Sequence, residues 1–165
     1  MFKFEIAMRI STRGRYALRM MLDIARNGGN GLPVSLSSVS ERTDISHGYL
    51  EQLAPALRAA RLVKSVAGRH GGYRLAAPAS KITIRQVIEA SIGPVCVVDC
   101  VEEPESCLKS EFCECRIVYA LINQRIAQVL EDYTLEDLLD PSWVSEKGLE
   151  LGEQPIRLGG VPSSS

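Results

Sequence analysis

The cysteines are the residues of this sequence with the clearest potential for chemistry. All five lie within one window of twenty residues, separated by three, six, five and one residues: Cys96, Cys100, Cys107, Cys113 and Cys115. Clustered thiolates are soft ligands, which favour iron–sulfur clusters, zinc or copper(I) over hard cations. Nothing else in the chain indicates the disulfide scaffold of a small secreted domain. The window therefore predicts a metal centre or a redox-active thiol site.

The spacing alone does not decide which chemistry this is. Structural zinc sites commonly contain two cysteines separated by two to four residues, and Cys96 with Cys100 matches half of such a site. The longer gaps suit a loop around a larger inorganic cluster equally well. Iron–sulfur binding, zinc binding and a thiol switch stay open at this point. A cysteine nucleophile would need a neighbouring base, and the two histidines, His47 and His70, lie far from the thiols in sequence, so we predict no enzyme.

A second set of residues has the chemistry of nucleic-acid recognition. Side chains that can contact base edges follow one another in the chain: Ser46, His47, Tyr49, Glu51 and Gln52. Candidates for phosphate contacts are Arg13, Arg15, Arg19, Arg58, Arg61 and Lys64. Arg69 lies beside glycines, which allow its guanidinium to enter a narrow minor groove. The alternative is a solvated surface, with Tyr49 packed in the core.

The charge distribution separates these two sets. Residues 1–75 contain 12 Lys and Arg against 5 Asp and Glu, whereas residues 76–165 contain 7 against 15, although the whole chain has a net charge of −1. Such asymmetry is typical of a polyanion-binding module joined to a different one. The chain lacks the ~18 uninterrupted apolar residues of a membrane span, and its first residues lack the apolar core of a signal peptide. We expect a cytoplasmic protein.

Helical periodicity predicts three helices in the basic half, over residues 12–26, 36–43 and 46–60. Ser46 caps the third, and a short turn at Asp44 and Ile45 joins it to the second. Two helices with this connection form a helix-turn-helix.

Two short strands follow, over residues 62–66 and 73–75, around a glycine-rich tip at 67–72. A helix-turn-helix followed by such a hairpin is a winged helix.

The acidic half predicts a short helix over residues 83–91 and then an aperiodic cysteine segment, 94–115, expected to be a functional loop. Residues 116–131 form a strongly helical segment whose apolar stripe is wide for a helix that covers only a small domain. Part of it is expected to pack on a second copy. A capped helix follows at 134–139, and residues 141–165 are expected to be a flexible tail.

The predicted fold is mainly α with a small β-hairpin wing. Residues 8–78 form a winged helix-turn-helix DNA-binding domain, and residues 79–140 carry the cysteine loop and a long dimerisation helix.

The sequence resembles the bacterial winged-helix regulators typified by IscR, NsrR and CymR over about residues 8–140. The segments that carry the resemblance are Met8–Leu18, Ile45–Leu53, Gly71–Tyr73 and Thr134–Leu138. The resemblance implies a homodimeric transcription factor that binds double-stranded DNA, with long C-terminal helices crossing at the dimer interface.

The resemblance extends to Cys100, Cys107 and Cys113, which match the three cysteines with which iron–sulfur members hold a [2Fe–2S] or [4Fe–4S] cluster. The fourth ligand differs. IscR-like members have a histidine where this chain has Arg116, and NsrR-like members use a partner aspartate where this chain has Arg15. Neither arginine can bind iron. The fourth position is open to Cys115, Cys96, Glu114 or an exogenous ligand.

These observations predict a regulator whose DNA affinity responds to iron–sulfur status, redox state or nitric oxide. One alternative keeps DNA binding and makes the cysteines a zinc site or a thiol switch. Another, from a different class, is an iron–sulfur carrier or electron-transfer protein, which would leave the basic half without a role.

Overall fold

A computed structural model describes residues 10–106 and 113–152 of the chain. Its N-terminal part contains three helices: α1 (Thr12–Asn27), α2 (Leu36–Thr43) and α3 (His47–Ala59). Each begins after a serine whose hydroxyl accepts a hydrogen bond from a backbone N–H three residues on: Ser11, Ser35 and Ser46. These caps satisfy amides that the first turn of a helix leaves unpaired. The three predicted helices are confirmed to within one residue at each end.

The turn between α2 and α3 has the form of a helix-turn-helix. Asp44 adopts a left-handed conformation, with φ 58°, and its N–H donates to the carbonyl of Ser40, which ends α2. Ile45 then enters the core beside Val39 and Leu50. The predicted helix-turn-helix is confirmed.

The wing is a two-stranded antiparallel hairpin of β1 (Val63–Val66) and β2 (Gly72–Leu75), with Val63 opposite Leu75. Tyr73 also pairs with Val34 through two backbone hydrogen bonds of 2.8 Å. This close approach requires glycine at position 72, because a Cβ there would lie 2.3 Å from the Val34 carbonyl oxygen. The predicted hairpin is confirmed, and the loop before α2 supplies a third partner that the sequence did not indicate.

Helix α4 (Ile84–Ile92) packs across α1. It begins with a capping box between Thr83 and Gln86, which pairs two otherwise unsatisfied amides. Buried Val87 and Ile88 join the core that α1 forms with α2 and α3. Gly93 ends the helix with φ 90°, a conformation that favours glycine.

The segment after α4 is more structured than expected. The described part contains α5 (Asp99–Glu102) and one turn of 3-10 helix at Pro104–Ser106, and α6 (Glu114–Asp132) follows. The expectation of an aperiodic loop over 94–115 is therefore wrong for residues 99–102, 104–106 and 114–115, which are helical. Helix α6 begins at Glu114, two residues before the predicted start at 116, so its first turn includes Cys115.

The chain returns to the first domain after α6. Tyr133 and Thr134 run beside the start of α4, where Ile84 N donates to Tyr133 O and Leu135 N donates to Ile82 O, both at 2.9 Å. Leu135, the first residue of α7 (Leu135–Leu139), is fully buried in the core. The cysteine segment and α6 therefore form one stretch of chain that begins at the end of α4 and returns to the start of α4.

Residues 141–150, expected to belong to a flexible tail, form α8 (Pro141–Glu150). Proline suits the first position of a helix, the Asp140 carboxylate accepts from Ser142 N at 2.8 Å, and Trp143 packs edge-on against Tyr133. The rest of the predicted tail after residue 152 lies outside the described residues. Within the described ranges every helix is too short or too polar to cross a membrane.

Candidate DNA interface and cysteine segment

The recognition helix α3 presents a polar face. Ser46, His47, Glu51 and Gln52 are exposed, whereas Leu50, Leu53, Ala54 and Leu57 are buried in the core. This alternation follows the helical period, so the polar set shares one side of the helix. Its exposed residues are at the N-terminal end, the part of a recognition helix that meets base edges in the major groove.

Tyr49 is placed differently from its neighbours. It is half-buried, and its ring stands edge-on to Tyr16 of α1 with ring centroids 5.4 Å apart. Edge-to-face aromatic pairs stabilise packing beyond the area that they bury. The contact holds the N-terminal half of α3 on α1, as in the alternative in which Tyr49 packs in the core.

Three of the six predicted phosphate contacts lie together at a groove beside the end of α3. Arg58, Arg61 and Lys64 are exposed and line an open groove between α3 and β1. Arg61 forms the bend between these two elements, with φ 59°.

A second polar groove lies between the wing and α2, lined by Arg69 and His70 of the wing tip and by Ser38 and Arg42 of α2. Arg42 is also bound to buried Asp23, with Nε–Oδ1 and Nη2–Oδ2 distances of 2.9 and 2.7 Å. This hydrogen bonding raises the pKa of Arg42 above its ordinary value. Arg69 was predicted from the sequence, whereas the α2 side of the groove was not, because only the fold brings Arg69 and α2 together.

The three arginines near the start of α1 do not share one environment. Arg15 and Arg19 are exposed. Arg13 is half-buried, and its guanidinium is turned inward to the carbonyl oxygens of Ser91 and Gln52. The structure therefore places Arg13 in a different environment from the exposed Arg15 and Arg19.

The cysteine segment runs along α6. Arg116 Nε donates to the Cys100 carbonyl at 2.8 Å, and Val97 N donates to Asn123 Oδ1 at 3.1 Å. Arg116 and Asn123 are seven residues apart, roughly two turns and ~10 Å along one helix face. Residues 97–100 therefore run antiparallel to α6, with Cys100 beside its N-terminal turn.

The described cysteines are all free thiols. Cys100 and Cys113 are half-buried, and Cys113 is the N-cap of α6; Cys115 lies exposed in its first turn. Cys96 is exposed, and its Sγ donates to the Val98 carbonyl at 2.9 Å. It precedes Val97, whose N–H donates to Asn123 of α6. Cys107 lies outside the described residues. Within residues 10–106 and 113–152 no three His, Cys, Asp or Glu side chains are grouped to hold a metal ion.

The donor set nevertheless fits an iron–sulfur cluster in its chemistry. Cys100 and Cys113 bring two thiols to the start of a 19-residue helix, and Cys107 lies in the chain between them. Thiolates are the ligands of such clusters, and a helix N-terminus favours the negative charge that they carry. Arg116, bound to a carbonyl, has no lone pair to offer a metal.

The outer face of α6 is apolar, and no part of the chain that the structure describes covers it. Exposed hydrophobic side chains follow one another over four turns: Ile117, Val118, Tyr119, Leu121, Ile122 and Val129. An exposed apolar surface of this kind marks an interaction site.

A winged helix with a polar recognition helix and basic grooves, followed by a long helix with an uncovered apolar face, defines a DNA-binding transcriptional regulator. The profile of the Rrf2 family, described as an iron-dependent transcriptional regulator, matches residues 10–141. The chain belongs to this family.

Individual relatives support the same assignment. The HTH-type transcriptional regulator CymR of Bacillus subtilis is 38% identical over 131 residues, which cover 79% of this chain and 89% of CymR. The solved structure of CymR, titled the global cysteine regulator of B. subtilis, covers 80% of this chain and 96% of its own, with a TM-score of 0.66 and 36% identity. The structure of T. potens IscR covers 92% of this chain and 95% of its own, with a TM-score of 0.66 and 32% identity. These relatives are regulators rather than enzymes.

Proposed function

We propose that this protein is a homodimeric transcriptional regulator whose DNA affinity depends on an iron–sulfur cluster bound by Cys100, Cys107 and Cys113. Its family is described as iron-dependent, and its basic and acidic halves separate DNA binding from the cysteine segment.

One hydrogen bond carries the proposal. Arg116 lies three residues after Cys113, and its bond to the Cys100 carbonyl brings these two cysteines to the same end of α6. The residues between them include Cys107, so a ligand shared by the three thiols would close this segment on the helix. Arg116 itself positions the segment.

DNA is bound by the recognition helix, the wing and the basic groove. His47, Glu51 and Gln52 face base edges in the major groove, where side-chain donors and acceptors distinguish base pairs. Arg58 and Arg61 neutralise phosphates from the groove beside α3. Arg69, at the wing tip, enters the minor groove where it is narrow and its negative potential is greatest.

The homodimer forms through the apolar face of α6. Pairing of two such faces removes the exposed hydrophobic side chains from water, which stabilises association. The pair must hold the two recognition helices about one DNA turn, ~34 Å, apart. The cysteine segment lies along the same helix, so a change in the conformation of the segment changes the distance between the two recognition helices.

When bound, the cluster supplies a redox-active group that oxidants or nitric oxide can alter. The chain's own residues do the rest: the three thiolates hold the segment, and Arg116 and Asn123 keep it on α6. A coupling of ~1–3 kcal/mol between the two sites is sufficient for regulation.

The test is anaerobic purification of the full chain followed by a visible spectrum with iron and acid-labile sulfide analysis. Brown protein with iron and sulfide in stoichiometric amounts supports the proposal, and Cys107→Ser should remove both. Colourless protein with zinc would indicate the zinc alternative. Protein that holds neither iron nor sulfide after reconstitution contradicts the proposal, and a protein that does not retard duplex DNA contradicts its DNA-binding half.

A second candidate is a thiol switch without metal. Cys96 and Cys115 are exposed free thiols, and the chain is about as similar to a protein titled a global cysteine regulator as to IscR. This candidate predicts metal-free protein whose DNA affinity changes on thiol oxidation and returns with reductant.

A further inference from the structure

Arg13 lies where three helices meet. It belongs to the first turn of α1, yet its Nε donates to the Ser91 carbonyl of α4 at 2.7 Å and its Nη2 donates to the Gln52 carbonyl of α3 at 3.4 Å. Ser91 is buried in the last turn of α4, and Gln52 is in the recognition helix. One guanidinium therefore joins the end of α4 to the helix that meets DNA.

The same end of α4 is tied to the cysteine segment. Glu89 Oε1 accepts from Val95 N at 3.3 Å and from Arg85 Nε at 2.9 Å. The hydrogen bond to Glu89 raises the pKa of Arg85. Two residues after Val95, Val97 is bound to Asn123 of α6. The last turns of α4 are therefore in contact with two parts of the protein. Glu89 is bound to the cysteine segment, and Ser91 is bound to Arg13, which is also bound to α3.

We propose that Arg13 is a positioning residue that transmits the state of the cysteine segment to the recognition helix, rather than a phosphate contact. The last carbonyls of a helix carry partial negative charge and favour a cation beside them. A change in the last turn of α4 that moves the Ser91 carbonyl therefore moves the guanidinium and its bond to Gln52. The signal rests on the proposed function, whereas the junction itself does not require a cluster.

The close packing of α1 on α4 makes this route stiff. Gly14, the neighbour of Arg13, is buried, and Val87 and Ile88 of α4 share one buried core with Ala17 and Met21 of α1. Tyr16, one turn along, holds α3 through Tyr49. Interiors packed this closely transmit displacements rather than absorb them.

The first test uses cluster-free full-length protein and a duplex of random sequence at several salt concentrations. Loss of one phosphate contact flattens the log–log slope of affinity against salt by ~0.9. Arg15→Gln, an exposed arginine two residues away, should flatten the slope. Arg13→Gln should lower affinity about three- to tenfold, the value of one or two hydrogen bonds, with the slope unchanged. If Arg13→Gln itself flattens the slope by ~0.9, Arg13 contacts a phosphate and the proposal is overturned.

The second test is a double-mutant cycle on the same cluster-free protein. Arg13→Gln and Glu89→Ala act at opposite sides of the α4 terminus, and independent sites add within about twofold in affinity. We expect the double variant to deviate from additivity by more than this, whereas Arg13→Gln with Glu146→Ala, exposed on α8, should be additive. Additivity in both cycles overturns the route. Arg13→Lys keeps the charge without the planar two-donor geometry and should behave as Arg13→Gln does.

The third test compares protein reconstituted with iron and sulfide against cluster-free protein. Arg13→Gln should reduce the ratio of their DNA affinities to within about twofold of unity, and Arg15→Gln should leave the wild-type ratio intact while weakening both forms. A wild-type ratio that survives Arg13→Gln overturns this inference alone. A wild-type ratio of one overturns the proposed function, and the two cluster-free tests then still decide the role of Arg13.

Discussion

Arg116 stands three residues after Cys113, where the resemblance to IscR places a ligating histidine. In this chain its Nε donates to the Cys100 carbonyl at 2.8 Å, so the residue helps to hold the segment, and a fourth ligand of the proposed cluster would come from elsewhere. Cys115 and Cys96 were equivalent candidates in the sequence. Only the fold separates them, because Cys115 lies in the first turn of α6 and Cys96 lies about two turns further along.

This difference gives a prediction for the fourth ligand. Cys115→Ser should shorten the lifetime of the reconstituted cluster in air by at least about tenfold, since loss of even an outer partner of a metal ligand costs 10–100-fold in affinity. Cys96→Ser is the matched control and should stay near wild type. The measurement is the decay of visible absorbance. Equal decay in the two variants would contradict the assignment.

A second prediction at this scale concerns phosphate contacts. Arg58→Gln should weaken binding to all duplex sequences and flatten the log–log salt slope by ~0.9, because one fewer counterion is released. Lys147→Gln, which removes a cation on α8 that is paired with Glu150, is the control and should leave the slope unchanged. A slope for Arg58→Gln that matches the control would remove Arg58 from the interface.

At the scale of elements, α6 carries the proposed dimer interface. Leu121 is 55% exposed in the middle of its apolar face, and a glutamate there would bury an unpaired charge between two copies. Leu121→Glu should therefore convert the dimer to a monomer in sedimentation or light-scattering measurements. The same substitution at Leu149 of α8, which is 73% exposed, should leave the dimer intact. A dimeric Leu121→Glu would place the interface elsewhere.

The wing offers a test of local packing. Gly72→Ala places a Cβ 2.3 Å from the Val34 carbonyl oxygen, so it should lower the free energy of unfolding by ~1–3 kcal/mol, as strain at a special backbone position does. Gly29→Ala, whose Cβ would meet nothing within 4 Å, should change it by less than ~0.5 kcal/mol. Chemical denaturation of both variants measures the difference. Equal stabilities would mean that the wing does not depend on the Val34 bridge.

The elements also show how far the sequence alone can predict this fold. Helical periods and serine or threonine caps are local signals, and they predicted α1 to α4 closely. The Val34–Tyr73 bridge and the return of Leu135 to Ile82 join residues far apart in the chain, and no local pattern encodes them. The start of α8 did carry a local signal, Asp140 before Pro141, which the composition of the tail obscured.

The site was predicted unevenly for the same reason. The thiols were evident because five cysteines share one window. The hydrogen bond of Arg13 to Ser91 could not be predicted. Several arginines lie near the start of α1, and nothing in the neighbouring sequence distinguishes Arg13 from the others. Its role depends on the α4 terminus, which lies 78 residues away in the chain.

In the whole molecule, α4 connects the basic half of the chain to the rest of the acidic half. The helix contacts α1 and α3 on the DNA-binding side and α6 on the other, and both ends of the stretch of chain that carries the cysteines are attached to it. A regulator needs such a connection, because a ligand shifts DNA binding only by as much as the two sites are coupled.

The most direct measurement is the DNA affinity of one anaerobic preparation before and after cluster removal, at one salt concentration, against a pool of genomic fragments that is sequenced after binding. The account predicts that some fragments change affinity by at least about fivefold, the lower end of ordinary coupling between sites. If reconstituted and cluster-free protein bind every fragment within about twofold of each other, the cluster does not regulate this protein.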